Sequence, residues 1–487
     1  MLFESLFAHA DSKPNDVAIL DDRGPTTWSQ LGAAAAGLGM YLSAQTTKPR
    51  VGLLLPTSAG FVASFYGTLL AGKAVVPINF LLSDREIAHC IADSGVDTIV
   101  TIPPLAAKLK DAPLKVVDLT ALPTPPPAAV TPKFPQVTAD DVAVVMYTSG
   151  TSGLPKGVML TFGNLTSDVD AAIEHAQLKG QHKFLGVIPL FHSTGMLATL
   201  ITPVRLGATV VYQARFSPVN VVKAIREHGV SIMAAVPSMY GAIARLKEAN
   251  PDDVKTMYAA LSGGEPLPSN VREGFEAKFG IPLYEGYGLT ETIGPIAINV
   301  PGHRRPGSVG RLIPGASAKI VGDDGKPADS GEVWLKGPMI MKGYLNRDDA
   351  TKEVLTADGY FKTGDLGHVD ADGYLFITGR KKDLIIVAGE KVTPREIEEA
   401  ILTSQAVADV AVVGRKDPSR GEAVVAFVIA KEGQAVTPEQ VKDACKQQGL
   451  PGWKTPRDVY IVNDLPRSPT GKVLKRVLVE QLSTQAV

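Results

Sequence analysis

Short apolar runs alternate with stretches of helical length through the first two-thirds of the chain, and that alternation leaves few folds open. "VGLLLP" (51–56), "VVPIN" (75–79) and "DTIVTI" (97–102) are too short for helices, whereas "FVASFYGTLLAG" (61–72) between them is long enough. Strands that are apolar on both faces need cover on both faces, so the pattern predicts parallel sheets sandwiched by helices in an α/β fold. At 487 residues the chain exceeds one ordinary core, and two or more units are expected.

From about Gly302 to Asn346 the texture changes to short strands punctuated by glycine, as in a small antiparallel barrel or twisted sheet. Before it, "ALPTPPPAAVTPKFP" (121–135) reads as a proline-rich surface crossing. A second boundary lies around 378–401, where "TPRE" carries a helix start: Thr393 as cap, Pro394 in the first turn, Glu396 to complete a capping box. The strand-like runs 409–414, 423–430 and 458–462, with a helix from about Pro438, then make a small α+β unit.

The formal net charge of −1 gives no reason to expect a nucleic-acid or anionic-membrane partner. Two cysteines, Cys90 and Cys445, fit a reducing, cytoplasmic setting and exclude a disulfide framework. The N-terminus lacks the basic and apolar regions of a signal peptide, and Leu2, Phe3, Leu6 and Phe7 fall on one helical face suited to docking. The uncharged stretch 184–204 is long enough to span a bilayer, but Pro189, Pro203, Gly186, Gly195 and His192 mark it as core rather than a transmembrane segment.

Chemistry begins at "YTSGTSGLPKG" (147–157), which follows the apolar run 142–146. A glycine-rich loop after a buried strand presents free N–H groups, and hydroxyls plus one lysine turn it into a phosphate cradle. The Walker spacing fails, because Lys156 stands between Pro155 and Gly157. Taken alone, the loop reads more readily as a mobile surface loop than as a site. Four further segments keep it company. "YGLTET" (287–292) supplies an aromatic face and the hard oxygen ligand Glu291. "YFKTGDL" (360–366) places Asp365 in a turn, Arg380 follows in "GR", and "PRSPTGKVLKR" (466–476) puts Lys472 in a second glycine-bearing loop.

In this order the motifs resemble the adenylate-forming superfamily of acyl-CoA synthetases, luciferase and adenylation domains, over essentially the whole chain, and most closely the medium- and long-chain fatty acid–CoA ligases. The resemblance implies an N-terminal adenylation domain (1–379) of two doubly wound α/β subdomains plus a β-barrel-like subdomain (about 302–379). A hinge (380–382) around Lys382 and a small mobile C-terminal domain (383–487) would follow.

It also implies roles. Thr148, Ser149, Gly150, Thr151, Ser152, Gly153 and Lys156 would hold the ATP phosphates. Tyr287 and Gly288, with Gly263, Gly264 and Glu265, would hold adenine. Thr290 would meet the α-phosphate, and Glu291 with Thr151 would hold Mg²⁺. Asp365 and Arg380 would bind ribose, and Lys472 would bridge the incoming carboxylate and the α-phosphate. Gly389 and Lys454 would face CoA. The acyl pocket would be lined by His192, Met239, Tyr240 and Gly264. Lys454 also reads as a surface cation and His192 as a core histidine.

No aspartate stands at the His192 position, as in amino-acid-activating relatives, and Gly286 occupies the place of the arginine of malonate-activating ones. The resemblance therefore implies a fatty acid, with an aryl acid as the alternative, activated by ATP and passed to CoA or to an acyl carrier protein. Lys391 departs from the asparagine usual in "GENI". Self-association into a homo-oligomer stays open.

Overall fold

The computed structural model describes residues 2–109, 113–123, 134–148, 154–467 and 471–484. The chain forms two compact units, one of residues 1–264, 275–317 and 335–361, the other of residues 265–274, 318–334 and 362–487.

The first unit is α/β, as the alternation predicts, and is built on two sheets. One has seven strands among the described residues, in the order Gly343–Tyr344, Lys156–Thr161, Val142–Thr148, Ala74–Pro77, Arg50–Leu54, Thr98–Thr101, Lys115–Asp118. From Val142–Thr148 to Lys115–Asp118 neighbouring strands are parallel, and Val51, Leu53, Leu54, Val75 and Val144 are fully buried. The helices between them are delimited locally. Asp84–Ser94 starts with a capping box from Ser83 and Glu86 and stops at Gly95, whose φ of 65° no other residue adopts so cheaply.

The second sheet has nine strands among the described residues, with a parallel run Leu283–Tyr287, Ala259–Ser262, Ile232–Ala235, Lys183–Gly186, Thr209–Tyr212, Val17–Asp21. The chain leaves Lys183–Gly186 toward Thr209–Tyr212 and then returns to build Ile232–Ala235 on the opposite side. That reversal makes the carboxyl ends of Lys183–Gly186 and Ile232–Ala235 a topological switch point, where doubly wound sheets take ligands. The stretch 184–204 forms a strand and short buried helices. The N-terminal helix Leu2–Ser12 buries Leu2, Phe3, Leu6 and Phe7, with Phe3 stacked on Phe134 at 5.3 Å.

The second unit holds a four-stranded sheet, Ser317–Val321, Gly331–Lys336, Phe361–Val369 and Leu375–Arg380, and a five-stranded one. Along Gly421–Ala430 of the latter, Val424, Ala426 and Val428 pack with the helices Pro394–Leu402 and Pro438–Gln447. Val425 and Phe427 face the opposite side with Leu478 and Leu482 of the helix Lys475–Thr484. This two-residue period is that of a strand covered on both faces.

One local expectation is corrected. Pro394 opens its helix, but Thr393 makes no side-chain cap. The Glu396 carboxylate that a capping box needs is paired instead with Lys454 Nζ, at 2.7 and 2.9 Å.

Candidate active site

Two antiparallel strands hold the ends of the glycine-rich loop: Thr148 and Lys156 are cross-strand partners. Ser149, Gly150, Thr151, Ser152 and Gly153 lie outside the described residues. Below the loop, the Pro155 carbonyl lies 2.9 Å from His89 Nε2, which ties that end of the loop to the helix Asp84–Ser94.

Lys156 reaches the Glu291 carboxylate through a residue that sequence reasoning missed. The two-residue strand Gly343–Tyr344 adds to the edge of Lys156–Thr161, with Tyr344 opposite Val158. Lys156 Nζ sits 4.3 Å above the Tyr344 ring, and the Tyr344 hydroxyl donates to Glu291 Oε1 at 2.7 Å. Burial and the adjacent Glu291 charge push the Tyr344 phenol well above its usual range, so it stays a proton donor. Met341 N–H donates to the Glu291 carbonyl at 2.8 Å, which anchors the same carboxylate-bearing turn from its backbone side. The available signal was the "GY" dipeptide, and nothing in its local pattern says which strand it joins.

Glu291 sits in the single turn Thr290–Thr292. The turn exits through Ile293, fully buried at φ 61°, a conformation that costs a β-branched residue energy and tends to mark functional segments. Gly288 is obligatory, since a Cβ there would collide with the Gly294 carbonyl. Thr292 ties the turn off, its hydroxyl donating to the Gly294 and Leu289 carbonyls and accepting from Leu289 N–H.

Among the described residues no three His, Cys, Asp or Glu side chains gather as a metal site. A single half-buried carboxylate with one oxygen fixed by a phenol fits Mg²⁺ that arrives already bound to nucleotide phosphates.

Tyr287 ends the strand Leu283–Tyr287, and Gly263 and Gly264 follow its parallel neighbour Ala259–Ser262, in a register that pairs Ser262 with Glu285. A Cβ on Gly263 would meet the Gly286 carbonyl at 3.4 Å, which keeps this edge narrow.

His192 and Met239 lie in the segments that follow Lys183–Gly186 and Ile232–Ala235 at the strand reversal. His192 precedes the short helix Ser193–Met196 and continues an aromatic series, Phe80 to Phe191 at 5.1 Å and Phe191 to His192 at 4.7 Å. A π-helical turn, Leu197–Ile201, follows. Tyr240 is buried, its hydroxyl bonded to the Met233 and Leu261 carbonyls at 2.8 and 3.0 Å, so its polar end braces two strands.

Asp168 also escaped sequence reasoning. It is fully buried on the helix Phe162–His175, beside Gly294, and among the described residues no hydrogen bond of good geometry reaches either oxygen. Burial raises its pKa well above the ordinary range, against an opposing contribution from the Gly294 backbone, and so favours the protonated form of the group.

In the second unit, Asp365 and Arg380 are paired, and Lys382 lies in the turn Lys381–Asp383. Burial raises the Glu265 carboxyl, opposed by the positive charge of Lys472 and Arg467. Gly389 takes φ 88° in a hairpin turn with open space around it. Lys454 is held by Glu396 and packs on the Trp453 ring at 5.4 Å. No helix among the described residues is long and apolar enough to cross a membrane.

Residues 6–345 match the AMP-binding enzyme family, and residues 396–472 match the AMP-binding enzyme C-terminal domain. Over 457 residues the chain is 36% identical to a sulfoacetate–CoA ligase from Cupriavidus necator, covering 90% of this chain and 87% of the relative. It is 33% identical over 481 residues to a long-chain-fatty-acid–CoA ligase from Bacillus subtilis, covering 89% and 85%. ATP-bound MatB from Rhodopseudomonas palustris superposes with a TM-score of 0.91 at 29% identity, covering 99% of this chain and 98% of that one. The chain belongs to the AMP-binding enzymes and is an AMP-forming acid–thiol ligase that uses ATP and CoA.

Proposed function

We propose that the acid is a fatty acid of medium or long chain, activated as its adenylate and transferred to CoA. The observation that carries this reading is the uncharged character of the two segments, bearing His192 and Met239, that follow the strands Lys183–Gly186 and Ile232–Ala235 at the strand reversal. The flanking segments 191–204 and 235–243 contain no charged side chain, so they offer no counter-charge to a second anionic group on the substrate and suit an aliphatic tail. The aromatic series Phe80, Phe191 and His192 favours a second reading, an aryl acid.

In the first half-reaction a carboxylate oxygen attacks the α-phosphorus, and the bond to pyrophosphate breaks. In the second the CoA sulfur attacks the acyl carbon and AMP leaves with the former carboxylate oxygen. Thr148, Lys156 and the loop 149–153 hold the β- and γ-phosphates, Tyr287 packs on adenine, and Asp365 with Arg380 accepts the ribose. Lys472 and Thr290 steady the charge that grows on the α-phosphate oxygens, where preorganised donors act most strongly. Mg²⁺, when bound, adds Lewis-acid neutralisation of the phosphates, and Glu291 with Thr151 would hold it.

The test is pyrophosphate release across acetate, sulfoacetate, octanoate, palmitate, 4-coumarate and malonate, each with and without CoA. Release that is greatest with octanoate or palmitate and accelerated by CoA is expected. Preference for 4-coumarate would favour the aryl reading, and preference for sulfoacetate or malonate would overturn both.

A further inference from the structure

Lys156 and Glu291 come from separate segments of the chain, yet one side chain touches both. We propose that Tyr344 is a positioning residue of the nucleotide site, fixing the phosphate-loop lysine with its ring and the metal-ligating carboxylate with its hydroxyl. This inference rests on the reading of Lys156 as a phosphate ligand and Glu291 as the Mg²⁺ ligand.

The geometry separates the two duties within one residue. The ring lies 4.3 Å beneath Lys156 Nζ, a cation–π distance that restrains a flexible ammonium while leaving its N–H donors free to point away from the ring. The hydroxyl donates to Glu291 Oε1 at 2.7 Å, which restrains the carboxylate's rotation.

Tyr344 is itself firmly seated. Its N–H donates to Thr351 Oγ1 at 2.9 Å, and the N–H groups of Leu345 and Lys342 on either side donate to the Gly157 and Met159 carbonyls at 2.7 and 2.9 Å. The backbone beside Lys156 and the backbone carrying Tyr344 are therefore one hydrogen-bonded ladder. A lysine on one strand and a carboxylate on a distant turn are thus referred to a common rigid edge.

The test is equilibrium binding of ATP by calorimetry, without any acid substrate, across a series of Mg²⁺ concentrations. Tyr344→Phe keeps the ring and loses the hydroxyl. The Mg²⁺ concentration at half-maximal ATP affinity is expected to rise about tenfold, the size of a lost hydrogen bond to a charged group, with affinity at saturating Mg²⁺ unchanged. Tyr344→Leu loses both, and its ATP affinity is expected to fall about fivefold even at saturating Mg²⁺. In a Glu291→Gln background, Tyr344→Phe is expected to add no further Mg²⁺ shift.

A Mg²⁺ midpoint that stays put or falls in Tyr344→Phe overturns the inference. So does a shift of equal size in the Glu291→Gln background. Should Tyr344→Leu fail to fold, the two phenylalanine arms decide alone. If Lys156→Ala and Glu291→Gln themselves bind Mg·ATP as the parent does, the underlying site assignment fails instead, a result distinct from either outcome for Tyr344.

Discussion

Asp365 and Arg380 face each other directly across the antiparallel pair Phe361–Val369 and Leu375–Arg380, with Arg380 Nε 2.9 Å from Asp365 Oδ1. The carboxylate side chain is 3% exposed and the guanidinium side chain 47%. Arg380→Ala would remove the guanidinium paired with a nearly buried carboxylate, leaving Lys382 within electrostatic reach of it. Because the arginine is half in water, the expected loss is about 1–2 kcal/mol, below that of a fully buried pair. Chemical denaturation measures it, and ATP binding by the same variant is expected to weaken. Unchanged stability would mean that water screens the pair almost completely.

The two thiols give a simpler expectation. Burial pushes Cys90 up to about 12, with Asp93 and Glu86 adding to the shift, and Cys445 up to about 11. Thiolate is the reactive form, so at pH 8 neither is expected to react with a disulfide reagent in the native protein. Denatured protein should release two equivalents of chromophore. Prompt reaction of a native thiol would contradict the packing around it.

Much of the first unit was legible because its signals are local. The apolar runs at 51–56, 75–79 and 97–102 became parallel strands, and Leu2, Phe3, Leu6 and Phe7 became the buried face of a helix. Tyr344 was not legible, because its importance comes from which strand its two-residue segment pairs with, a tertiary fact. Asp168 reads as the polar side of an amphipathic helix, and its burial beside the Gly294 segment is a tertiary fact. Thr393 misled because a capping box is a contest for one carboxylate, and Lys454 won Glu396.

Ala388 and Gly389 both adopt positive φ, 52° and 88°, in the turn between Ile385–Val387 and Glu390–Val392. Alanine is an awkward residue for that conformation and glycine a natural one. Ala388→Gly is expected to raise stability slightly, and Gly389→Ala to lower it by about 1 kcal/mol despite the open space around its Cα. Thermal melts of the two variants moving in the same direction would refute a strain account of the turn.

Asp168 sets a pH dependence whose sign follows from its raised pKa. An unfolded aspartate titrates near 4, whereas the buried one holds its proton to higher pH. Between those values the folded state binds more protons than the unfolded state, so stability falls as pH rises through the interval. Asp168→Asn keeps the size of the side chain and cannot ionise. At roughly pH 3, below the titration of the unfolded carboxyl, variant and parent are expected to be closest in stability, and as pH rises from there the variant should gain on the parent. Denaturation midpoints from about pH 3 to 8 measure the gap. Parallel curves would show that Asp168 is ionised when folded, which would require a cation or ordered water at its two oxygens. A gap that widens toward alkaline pH would show instead that the segment behind Glu291 rests on a neutral acid, and that its burial weakens the fold whenever the proton is withdrawn.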